Sequence, residues 1–169
     1  MATLMLSGIP PPGACFPMND NIPLAVAYYT NGSIFRLSAE KLAEGLALDA
    51  VGRPTTLTAI PLYLLASHAA ELFLKAALLK RGFTEASLKK YSYRHNLAAL
   101  LRELQEKGVP VTSDTVAVVQ GLSDQHENHQ LRYTVLVDDG SKTYWPPPAL
   151  VFVALDELLL LTRISTHGI

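Results

Sequence analysis

The chain has 169 residues, 49% hydrophobic and only 17% charged, with a formal net charge of -1. That length suits one domain with a proper core, and the balance excludes a disordered chain. A charge so near zero excludes a global basic field for nucleic acid or membranes, so any polyanion contact must come from a local patch.

Residues 1–20 are rich in Pro, Gly and Asn and read as an irregular N-terminal arm. They lack a basic n-region and are broken by prolines, so they do not read as a signal peptide. The lone cysteine, Cys15, cannot form an internal disulfide and points to a reducing, cytoplasmic compartment. Residues 21–169 read as a single helical-bundle domain.

From about Ile22 to Leu48, Phe35, Leu37, Leu42 and Leu46 recur near helical spacing, with Asn31-Gly32 as a candidate break. A connector over 50–56 offers Thr55 or Thr56 as a cap, and Pro61 fits only the first turn of the next helix or a kink in it. Residues 57–80 are apolar almost all round, the mark of a central helix, and end at Lys80-Arg81-Gly82. The basic, tyrosine-bearing stretch SLKKYSYRH reads as a connector. Asn96 or Ser92 then starts a third helix, with Leu97, Leu100, Leu101 and Leu104 on one stripe, which stops at Gly108-Val109-Pro110. A fourth helix is predicted from Thr112 to about Leu131, capped by Thr112 or Ser113. Two β-prone runs around Asp138-Asp139-Gly140 predict a small hairpin near 133–145. Prolines 146–148 introduce a last helix, to about Ser165. Its apolar run from Ala149 to Leu161 is shorter than the ~20 residues of a membrane span, and Asp156 and Glu157 interrupt it. The fold expected is therefore all-α, an up-and-down bundle of four to five helices. The apolar excess on the central and last helices predicts a homodimer that hides it.

Four constellations could carry chemistry. His126 and His129 sit three apart beside Asp124 and Glu127, and His68 and Glu71 sit three apart on another helix. Such pairs on facing helices can hold metal ions. The second Glu-x-x-His pair of a di-iron site is missing, as is HExxH, so the sequence alone predicts no metal and no cofactor. GxSxG, the P-loop and GxGxxG are likewise absent, and no catalytic set is predicted. The connector cations Lys89, Lys90, Arg94 and His95, with Tyr93, could meet phosphates and bases, or simply close the bundle end. Finally, Glu71 and Lys75 form a polar stripe on the central helix. A buried acid needs a partner, and Arg132, followed by Tyr133 at the end of the fourth helix, is the expected one for Glu71.

Ala70-Glu71-Leu72-Phe73-Leu74-Lys75-Ala76-Ala77-Leu78-Leu79, then His95-Asn96-Leu97 with Leu100-Leu101, then Arg132-Tyr133, resemble HEPN domains over roughly residues 57–133. In that family an AxExxLKALL-like helix precedes a GHDL-like helix start and a later RY pair. The resemblance implies an all-α bundle that usually dimerises. It implies RNA or nucleotides as frequent ligands and a setting in prokaryotic defence, stress or toxin–antitoxin systems. Many members are metal-independent ribonucleases with an arginine followed, after four to six residues, by a histidine. This chain has no such pair, and its nearest approach is Arg163 to His167. The reading is therefore a non-catalytic HEPN-like protein that binds RNA, a nucleotide or a partner protein. Its candidate ligand residues are Glu71, Lys75, Lys89, Lys90, Tyr93, Arg94, His95, His126, His129, Arg132 and Tyr133. The alternatives are a degenerate ribonuclease using Arg132 with His126 or His129, and an antitoxin-like protein-interaction module. No membrane contact is expected.

Overall fold

The computed structural model describes residues 21–127 and 145–163. Among them are α1 (Ile22–Ala43), α2 (Ile60–Lys80), a single turn α3 (Glu85–Leu88), α4 (Leu97–Glu106), α5 (Ser113–Glu127) and α6 (Pro148–Leu161), with no strand. The all-α bundle read from the periodicity is therefore present, built on five longer helices. The hairpin expected near 133–145 lies almost wholly outside the described residues, as does the N-terminal arm.

Helix α2 is the axis of the fold: 13 of its 21 residues are buried, from Leu62 to Leu79. Pro61 stands in its first turn, where no intrahelical donor is lost. By length and composition the stretch Leu57–Lys80 could cross a membrane. In the bundle its apolar surface is instead taken up by Ala25 and Ala39 of α1, Leu97 to Leu104 of α4, Val119 and Leu122 of α5, and Val151 to Leu158 of α6.

Helix α1 runs unbroken through Gly32, where the sequence suggested a break. The reason is tertiary. A Cβ at Gly32 would lie 2.8 Å from Cε1 of the buried Phe73, so this glycine lets α1 approach α2 rather than ending the helix. Asn21, just before α1, donates from Nδ2 to the Phe83 carbonyl just beyond α2 at 3.1 Å. The two helices are thus antiparallel. In contrast, α2 and α6 run in the same direction. Tyr63 near the start of α2 donates to the Pro146 carbonyl at 2.6 Å, and Lys80 at its end donates to the Thr162 carbonyl at 2.5 Å.

Two helix starts follow the capping chemistry read from the sequence. Asn96 caps α4, its side-chain oxygen accepting from Ala99 N–H at 2.8 Å. Thr112 precedes α5, but its strongest partner is remote. Glu157 of α6 accepts from Thr112 N–H (2.8 Å) and Oγ1 (2.6 Å) and from Thr115 Oγ1 (2.5 Å). The carboxylate thus serves the open end of α5, where negative charge is favoured. Burial alone raises the Glu157 pKa, but these hydrogen bonds outweigh it and hold the group below its ordinary value.

A candidate ligand site around the buried carboxylate of Glu71

Glu71 lies midway along α2, 6% exposed, among alanines and leucines. A lone carboxylate there would be costly, and three cationic or donor groups from three segments meet it. Lys75, one turn on, reaches Oε1 at 2.5 Å. His126 Nε2, from the last turn of α5, lies 2.8 Å from Oε2, and His95 Nδ1, before α4, lies 3.1 Å from the same oxygen. Burial by itself raises the Glu71 pKa. The His126 hydrogen bond, the charge and hydrogen bond of Lys75, and the His95 hydrogen bond outweigh it, so the group stays ionised well below the usual carboxylate range. An ionised carboxylate only accepts, so both imidazoles donate to it from the nitrogens that face it.

His95 reaches Glu71 with its own backbone in the left-handed region, at φ 62°. Among the described residues it is the one non-glycine there. That conformation costs a β-carbon-bearing residue roughly 1–2 kcal/mol. The cost is borne where residues 81–96 turn back from the end of α2 to the level of Glu71. Next to the carboxylate, the His68 ring packs edge-on to His126 (4.9 Å between centroids) and tilted against Phe35 of α1 (5.6 Å).

The connector residues divide. Lys89, Lys90 and Arg94 are exposed, and Lys89 pairs with Glu85 at 2.7 Å. Tyr93 turns inward: its hydroxyl donates to Glu103 at 2.5 Å and its ring packs on Phe83. Tyr93 thus helps to close the bundle end. His129, Arg132 and Tyr133 lie outside the described residues, and with them the expected Glu71–Arg132 pair. The sequence set the His68–Glu71 pair beside His126 as pairs on facing helices, and the structure brings His68, Glu71 and His126 together. What the sequence did not join is His95 to Glu71, which only the turn of the connector brings into contact.

A cavity of about 240 Å³ lies elsewhere, at the start of α2, lined by residues such as Thr56, Leu57, Ile60 and Trp145, none of them charged. The polar cluster is therefore the place where ionisable chemistry converges among the described residues. No family model, no curated protein and no solved structure matches this chain.

Proposed function

We propose that this chain is a non-catalytic, HEPN-like binding protein that holds the phosphates of RNA or a nucleotide, working as a cytoplasmic homodimer in a stress, defence or toxin–antitoxin setting. The observation that carries the reading is the anchor of His95 on Glu71. It ties a connector bearing Lys89, Lys90 and Arg94 to an internal carboxylate. Cations held in place lose less freedom on binding than cations on a free loop. The exposed cations suit phosphate contacts that position a strand without reading its bases. The test is binding of a fluorescent single-stranded RNA across a salt series. Changing Lys89, Lys90 and Arg94 together to Ala should weaken binding at low salt and reduce the log–log salt slope by about 2, the counterion release of three phosphate contacts. An unchanged slope would sink the reading.

The degenerate-ribonuclease alternative gains little from His126. Its side chain is 1% exposed, and its Nε2 is engaged by Glu71. The homodimer has a specific observation behind it. Ile34 and Leu37 of α1 and Val153 and Leu160 of α6 are all more than half exposed. Arg36 holds the two helices together through Asp156 at 2.8 Å. Apolar residues on neighbouring helices suit a symmetric contact between two copies. Light scattering should show a dimer at micromolar concentration, and a monomer once Leu37 and Val153 are both changed to Glu.

A further inference from the structure

We propose that His68, Glu71 and His126 bind a divalent transition-metal ion of the zinc class where α2 meets α5, leaving its remaining coordination positions to water. This goes beyond the phosphate-binding reading and does not rest on it. The ligand is a cation held by different atoms from the exposed cations of the connector.

The donor set comes first. One ligand atom from each of the three residues lies within 4.8 Å of the others. Two imidazoles and one carboxylate are a set that zinc and its neighbours accept, and three protein ligands leave room for water. With metal–ligand bonds near 2.0–2.2 Å, two atoms on one zinc ion stand roughly 3–3.5 Å apart. The His126–Glu71 pair, at 2.8 Å, is already near that spacing. His68 must close by about 1.5 Å at most to match it. It is only partly buried and sits on the same helix face as Glu71, one turn before it.

The surroundings support the same atoms. Lys75 binds Oε1 of Glu71, and His95 and His126 share Oε2, so the carboxylate is already oriented with that oxygen toward His126 and the proposed ion. Partners of this kind around the ligands fix their direction. The buried helices α2 and α5 set the backbone positions, so the site does not depend on a loop. When the ion binds, the Nε2–H bond of His126 breaks and its hydrogen bond to Glu71 gives way to the metal. In a neutral ring the proton passes through solvent to Nδ1; in a protonated ring it leaves to solvent and Nδ1 keeps its own, so a neutral imidazole ligates in either case.

The experiment is a Zn²⁺ titration of the full chain, stripped with chelator, against a chromophoric competitor. One ion per chain should bind with a micromolar or lower Kd. His68→Asn, which leaves the buried His126–Glu71 contact in place, should weaken binding at least 10-fold with an unchanged circular dichroism spectrum. Cys15→Ser should bind as the parent does. Wild-type zinc binding weaker than about 100 µM, or a His68→Asn variant that binds as well as the parent, would overturn the proposal. RNA binding that fails while zinc binding persists would remove the phosphate reading alone, and the reverse result would remove only this one.

Discussion

His126 Nε2 lies 2.8 Å from Glu71 Oε2, with both side chains less than a tenth exposed, so the last turn of α5 is tied to the middle of α2 by a charge-assisted hydrogen bond in the core. Its consequence for stability is asymmetric. His126→Ala removes a donor from a buried carboxylate that cannot find water in its place. Oε2 would keep only the longer His95 contact, and the lost charge-assisted hydrogen bond should cost about 1.5–3 kcal/mol, with a further contribution from the space the ring leaves. Urea denaturation of the variant measures it. A loss under about 0.5 kcal/mol, the range of ordinary surface substitutions, would mean that the pair is not sealed from solvent.

His95 separates a side-chain effect from a backbone effect. Its left-handed φ is easy for Gly and tolerable for Asn, and is a clear strain for a β-branched residue. His95→Gly and His95→Val both lose the Glu71 contact. The valine variant should be less stable than the glycine variant by roughly 1–2 kcal/mol. Equal denaturation midpoints would show that residue 95 does not keep this conformation.

Gly32 offers a test in which helix propensity and packing oppose each other. Ala in place of Gly favours a helix interior by about 1 kcal/mol. Here the added Cβ would meet Phe73 Cε1 at 2.8 Å, Phe73 Cδ1 at 2.9 Å and Leu72 Cβ at 3.3 Å. Overpacking of this kind costs about 1–3 kcal/mol, so Gly32→Ala should destabilise the fold. The double variant Gly32→Ala with Phe73→Leu should recover part of what the sum of the single changes predicts. Thermal melts of the three variants decide it, and a raised melting temperature for Gly32→Ala alone would contradict the contact.

Glu157 predicts an acid-sensitive component of stability. Its folded-state pKa is depressed because burial is outweighed by the hydrogen bonds of Thr112 and Thr115. A depressed carboxylate contributes stability that is present above its unfolded value and lost as pH falls through the folded one. Wild type should therefore lose stability as pH falls below the ordinary carboxylate range. Glu157→Gln should melt lower than wild type at pH 7, and the gap should close on acidification. A gap that stays constant with pH would show that the charge of Glu157 is not what serves the start of α5.

The helical class, the central place of α2 and Asn96 as one of two candidate caps were legible in the sequence, because each is a local matter. Three- and four-residue spacing decides which side chains share a helix face, and a capping oxygen reaches only its own first turn. The same locality is why the sequence marked Glu71 as an acid in need of a partner. It named Arg132, which lies outside the described residues, and gave no sign of the His95 and His126 hydrogen bonds, which reach Glu71 across 24 and 55 residues of chain. Gly32 shows the same limit: propensity treats glycine as a break, whereas the Phe73 ring on another helix makes its missing side chain a requirement. Tyr93 and Glu157 likewise took their roles from Glu103 and Thr112, groups that only packing brings near. Local propensity thus determined the elements of this protein, and tertiary contact decided which of its charged groups became a site, because the cost of burying a charge depends on everything around it and not on its neighbours in sequence.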